Sequence, residues 1–83
     1  MGNEEKVWNY IKAKKDENKN NSFDINITDM AKELNLNTID ITSILEKFQI
    51  EIKLRFTKNL VSKQTYHKAS NFPNVITIFE VYD

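Results

Sequence analysis

The single glycine of this 83-residue chain is Gly2, and that scarcity limits the possible folds more than any other feature. Glycine normally forms left-handed turns and lets backbone amides approach a phosphate group. The sequence therefore excludes a Rossmann fingerprint, a P-loop and a nucleophile elbow, which all need internal glycines. Its eleven asparagines tolerate left-handed backbone next best, so we expect asparagine to form the tight turns.

The composition also excludes most catalytic and metal-binding classes. The chain has no cysteine and one histidine, His67, so it offers no Cys/His zinc site, disulfide framework or thiol nucleophile. A nucleophile, a base and an orienting group cannot be assembled from this inventory. We expect one domain spanning residues 1–83 that is not an enzyme and uses no metal or cofactor.

The start of the chain does not resemble a signal peptide. Glu4 and Glu5 stand where a signal peptide has positive charge, and no apolar run approaches the ~18 residues of a membrane span. We therefore expect a cytoplasmic protein without membrane contact.

Positive charge is concentrated in residues 50–74, which carry a net charge of +4 within a chain whose total is zero. Residues 1–49 and 75–83 each carry a net charge of −2. If the protein meets a polyanion, we expect the contact in residues 50–74.

Hydrophobic periodicity predicts three helices and three strands. Asn3, Thr28 and either Asn37 or Thr38 are the expected helix caps. The predicted order is a helix over residues 4 to about 16, a strand over 23–27, helices over about 29–34 and 38–48, a strand over 50–56, a polar connection over 57–74 and a final strand over 75–82.

Residues 27–46 resemble the helix-turn-helix of the winged helix-turn-helix superfamily. Ala31 supplies the small residue at the helix crossing, and Asn35 stands four residues later, where the family has glycine or a residue that tolerates positive φ. The apolar positions of the motif are filled by Met30, Leu34, Leu36, Ile41 and Ile44. The resemblance implies an α+β winged-helix fold, with residues 57–74 as a long wing.

The resemblance also implies that the second helix of the motif enters the major groove of double-stranded DNA. Its groove-facing residues would be Thr38, Ile39, Asp40, Thr42, Ser43, Glu46 and Lys47. The set is poor for this purpose, because it lacks arginine, and Asp40 and Glu46 repel phosphate.

The wing is better suited to nucleic acid, because it combines cations with aromatic rings that can stack. We assign DNA contacts there and on the preceding strand to Lys53, Arg55, Lys58, Lys63, Tyr66, His67 and Lys68. The alternative is a solvated loop whose lysines only maintain solubility.

Two features point to protein partners instead. Ile39 lies opposite the apolar face of its helix, which is typical either of a stray surface residue or of a winged-helix module that binds protein. The final strand is apolar on both faces, and we expect a homodimer in which Ile76 and Ile78 face outward to the second chain.

Overall fold

The computed structural model describes residues 2–18, 22–58, 66–67 and 72–82. These residues form a small α+β domain with three helices, a three-stranded antiparallel sheet and a separate pair of short strands. In chain order the elements are α1 (Asn3–Glu17), β1 (Phe23–Asn26), α2 (Ile27–Leu34), α3 (Thr38–Ile50), β2 (Leu54–Lys58), β3 (Tyr66–His67), β4 (Phe72–Pro73) and β5 (Val75–Val81).

Strand β5 is the centre of the sheet and pairs with β1 on one side and β2 on the other. Its Ile76 and Ile78 stand opposite Ile25 and Phe23 of β1, and all four side chains are buried in the core that the helices cover. Our assignment of Ile76 and Ile78 to an outward, dimer-forming face is therefore wrong. The two apolar faces of β5 look alike in sequence, and packing against the helices selected the face that carries these isoleucines.

Two helices begin at residues other than those we expected. Gly2, not Asn3, occupies the N-cap position of α1, and no side chain caps that helix. Helix α2 starts at Ile27 because the side-chain oxygen of Asn26 accepts a hydrogen bond from the backbone N–H of Asp29 at 3.0 Å. Thr28, our expected cap, instead donates its hydroxyl to Asn74 Oδ1 at 2.6 Å.

The turn between α2 and α3 confirms the prediction for Asn35, which is left-handed with φ 56° and ψ 47°. The N–H of Leu36 donates to the carbonyl of Ala31 at 3.0 Å, and the N–H of Asn35 donates to that of Lys32. This pair of bonds is the Schellman arrangement, which satisfies the last carbonyls of a helix. Asparagine thus fills the position that glycine usually occupies.

Helix α3 continues two residues further than we expected, and this displaces the start of the next strand. Ile50 is its last residue, and Ile52 lies in the turn that follows, so neither belongs to a strand. Only Leu54 and Phe56 of the four alternating apolar residues are buried in β2. The alternation in residues 50–56 does not indicate a strand over its whole length, because residues 50–53 form the end of α3 and the turn after it. The N–H groups of Glu51, Ile52 and Lys53 donate to carbonyls of α3 instead of to a neighbouring strand.

The core combines all three helices and the inner face of the sheet. From α3 it receives Ile41, Leu45 and Phe48, which are almost completely buried. Ile44, an apolar position of the helix-turn-helix motif that we expected to be central in the core, is half-buried at the margin of this face. The buried stripe of α3 is therefore centred closer to Leu45 than the sequence indicated.

The position of the buried stripe on α3 predicts how three substitutions change stability. Leu45→Ala should lower the free energy of unfolding by about 2–5 kcal/mol, because it removes a fully buried side chain and leaves a cavity. Ile39→Ala should change it by less than about 0.5 kcal/mol, because Ile39 is exposed. Ile44→Ala should fall between the two. Urea unfolding measures all three changes. An equal decrease in the free energy of unfolding for Leu45→Ala and Ile39→Ala would contradict this assignment of the buried face.

Candidate functional site

Helix α3 presents one face to the core and the opposite face to solvent. The exposed residues on the outer side are Ile39, Asp40, Ser43, Lys47 and Ile50. We call these five residues the α3 outer face. Ile39 is 56% exposed and Ile50 is 80% exposed, so the outer face carries a large apolar side chain at each end. Thr38, at the start of the helix, is half-buried.

Thr42 does not belong to the α3 outer face, which corrects our assignment of this residue to a DNA contact. Its side chain is only 3% exposed, and its hydroxyl donates to the carbonyl of Ile39 at 3.0 Å. Threonine often bonds the preceding helical turn in this way, and the bond satisfies a hydroxyl that is buried.

Lys47 is exposed as we expected, but its ammonium group already has an intramolecular partner. Lys47 Nζ donates to Glu4 Oε1 of α1 at 2.8 Å. This hydrogen bond lowers the pKa of the Glu4 carboxyl and raises the pKa of the Lys47 ammonium above their usual values. Glu4 therefore offsets the single positive charge that α3 carries.

Lys53 and Arg55 do not project together from one strand. Lys53 lies in the turn before β2, with Nζ 5.5 Å from the centre of the Phe48 ring and 3.9 Å from Glu51 Oε1. Arg55 lies in β2, is exposed, and stands opposite Glu80 of β5 in the register. The two cations are thus on different elements, and both have acidic neighbours.

The wing residues are described only in part. Lys58 ends β2, and Tyr66 and His67 form β3, which pairs antiparallel with Phe72–Pro73. Lys63 and Lys68 lie outside the described residues, so their assignment to DNA contacts stays a prediction. The connection that we expected to be a polar loop therefore contains a short strand pair.

Sequence reasoning missed three exposed apolar residues, Ile50, Ile52 and Tyr82. The first two were assigned to a strand, and Tyr82 follows β5, where its N–H donates to the carbonyl of Lys53 at 2.7 Å. Ile52 has φ 57° although it is β-branched, which places it in left-handed backbone that such residues strongly disfavour. No sequence signal predicts isoleucine in that conformation.

A shallow depression of about 380 Å³ lies on the solvent side of α3. It is lined by Thr42, Ser43, Glu46, Lys47 and Ile50. Four of these residues, all except Thr42, follow the i, i+3, i+4, i+7 spacing of neighbouring side chains on one helix face. The depression is therefore a gap between successive turns of α3, and its lining is mostly apolar.

No family model, curated protein or solved structure matches this chain.

The described residues offer little chemistry beyond these surfaces. Among them, no group of three or more His, Cys, Asp or Glu side chains is arranged to hold a metal ion. No helix in the described part of the chain is long and apolar enough to cross a membrane.

The strained backbone of Ile52 leads to a stability prediction. Ile52→Asn should raise the free energy of unfolding by about 1 kcal/mol, because asparagine enters left-handed backbone at much lower cost than isoleucine. Ile50→Asn is the matched control, since Ile50 is also exposed but has helical backbone, and it should change stability by less than about 0.5 kcal/mol. Thermal or urea unfolding compares the two, and a loss of stability in Ile52→Asn would contradict the prediction.

Proposed function

We propose that this chain is a winged helix-turn-helix domain that binds double-stranded DNA, with the connection between β2 and β5 as its wing. The observation that carries the proposal is the unit α2, left-handed Asn35, α3, with α3 exposed along its outer side. The sheet that follows supports it, because β2 and β5 are adjacent and antiparallel, so their connection extends from one end of the sheet.

The distribution of charge suggests how DNA contacts would be divided between α3 and the wing. On the solvent side of α3, Asp40 and Glu46 outnumber Lys47, and Lys47 already pairs with Glu4. Residues 50–74 carry a net charge of +4. Because phosphate contacts dominate the affinity of most DNA-binding proteins, the wing would supply most of the binding energy.

A second candidate function is a winged-helix module that binds protein. The specific observation in its favour is the exposure of Ile39 and Ile50 at the two ends of the α3 outer face. Exposed large apolar side chains are more typical of a protein interface than of a groove-reading helix, which needs side chains that hydrogen-bond to bases. The two candidates differ in their response to salt, because screening weakens phosphate contacts far more than apolar packing.

The test of the DNA-binding proposal is the salt dependence of affinity for a mixed-sequence duplex, measured by fluorescence anisotropy. Replacing Lys63 and Lys68 together with alanine should flatten the slope of log K against log salt by roughly two units, because each phosphate contact contributes about 0.9. Binding should weaken similarly for all sequences.

The matched control replaces Lys6 and Lys14 of α1 with alanine, which removes the same charge from another element. This variant should leave the slope within about half a unit of the unmodified chain. Equal slopes for the wing variant and the unmodified chain would contradict the role of the wing. Absence of DNA binding by the unmodified chain at ~50 mM salt would overturn the proposal and favour the protein-binding candidate.

A further inference from the structure

The α3 outer face has features that match a second copy of itself. Ile39 and Ile50 are eleven residues apart, which places them within about 20° of each other around the helix and about 16 Å apart along it. Both side chains are more than half exposed. Ser43, the small residue between them, is also exposed and would let another helix approach closely.

The depression on α3 has the form of a coiled-coil hole. In knobs-into-holes packing, one side chain inserts among four residues of the facing helix at positions i, i+3, i+4 and i+7. Here those four residues are Ser43, Glu46, Lys47 and Ile50. Ile39, two turns before the centre of the hole on the same face, has the size and exposure of a knob.

We infer that two copies of this chain associate by antiparallel packing of their α3 helices, each Ile39 inserting into the depression of the other copy. The two-fold axis then passes beside Ser43, so the two Ser43 side chains face each other. The contact is isologous, which means that the same two surfaces meet twice: Ile39 of each copy contacts the depression of the other.

Charge complementarity selects the antiparallel direction. Asp40 and Lys47 lie on the same edge of the α3 outer face, seven residues apart. In the antiparallel arrangement Asp40 of one copy lies within about 2 Å, along the helix axis, of Lys47 of the other, given a rise of 1.5 Å per residue. A parallel two-fold arrangement would place this edge of the two helices on opposite sides of the interface, so Asp40 of one copy could not pair with Lys47 of the other. The ammonium group of Lys47 has three donors, so it can bond a second carboxylate as well as Glu4.

This interface uses no wing residue and does not depend on DNA binding, but it covers the α3 outer face, so the dimer would contact DNA through the wing. A single pair of helices of this length buries less than the roughly 1,200 Å² of a standard interface, so the dimer should be weak. Sedimentation should therefore cover total protein concentrations from ~5 to ~500 μM.

The first experiment is that sedimentation series on the unmodified chain and on Ile39→Lys. The unmodified chain should move from monomer to dimer over the range, and Ile39→Lys should dissociate at least tenfold more readily. The control Ile52→Lys changes an isoleucine that is slightly more exposed than Ile39 and lies outside the interface, and it should dimerise like the unmodified chain. A chain that stays monomeric at the highest concentration would overturn the inference and leave the α3 outer face to DNA or to another protein.

A second experiment reads the geometry of the contact directly. The chain has no cysteine, so Ser43→Cys introduces a single thiol on the two-fold axis and should form a disulfide-linked dimer under mild oxidation. Lys32→Cys, exposed on α2, should cross-link much less. Equal cross-linking of the two variants would overturn the proposed contact.

The direction of packing is tested by mixing Ile39→Cys chains with Ile50→Cys chains. Antiparallel helices bring position 39 of one copy close to position 50 of the other, so the mixture should give cross-linked heterodimers in large excess over either homodimer. Efficient cross-linking of Ile39→Cys with itself would instead indicate parallel helices and overturn the antiparallel arrangement.

Discussion

The orientation of the helix pair relative to the sheet depends on the hydrogen bonds of Asn74. Its side-chain oxygen accepts from the backbone N–H of Thr28 at 3.3 Å and from the Thr28 hydroxyl at 2.6 Å, and its amide donates to Asn26 Oδ1 at 3.3 Å. Its carbonyl accepts from the N–H of Ile27 at 2.7 Å. One residue before β5 therefore satisfies donors in the first turn of α2 that would otherwise lack partners in a part-buried site. Since α3 packs on α2, the direction of the α3 outer face follows from this junction.

Two helix ends with the same hydrogen-bond pattern show how far local sequence predicts the fold. Asn35 could be predicted as left-handed, because asparagine is among the few residues that tolerate this backbone and the apolar pattern stops there. Ile52 has the same left-handed conformation, and the N–H of Lys53 donates to the carbonyl of Phe48 at 2.9 Å. The β-branched side chain of Ile52 strongly disfavours this backbone, so the sequence does not predict it. Contacts from distant residues hold this turn, namely the bond from the N–H of Tyr82 to Lys53 and the Trp8 ring packed edge-on against Phe48. Such contacts are invisible to a reading of hydrophobic periodicity.

The sequence predicted the candidate site, like the fold, only in part. Helical periodicity correctly placed Ile39 and Ser43 at the surface, because both lie far from the buried stripe. It failed for Thr42, which lies at the border of the stripe, where a hydroxyl bonded to its own helix can be buried. It also gave no sign that Lys47 pairs with Glu4, because the two residues are far apart in sequence and meet only when α1 packs beside α3. Patterns therefore predict which face a residue occupies, whereas the net charge of that face depends on neighbouring elements.

The end of α3 is not optimised for the stability of an isolated domain. Isoleucine at position 52 costs about 1–2 kcal/mol in left-handed backbone, a cost that asparagine at the equivalent position of α2 largely avoids. Ile50 adds apolar surface that the described residues do not cover. Single exposed isoleucines are ordinary on protein surfaces, but here Ile39 and Ile50 share one helix face and Ile52 follows in the next turn. Two uncovered apolar side chains on one helix face are more typical of a surface that contacts a partner than of one that contacts only water, whereas the strained Ile52 lies outside that face. The exposure of Ile39 and Ile50 therefore agrees with the binding role that we propose for α3.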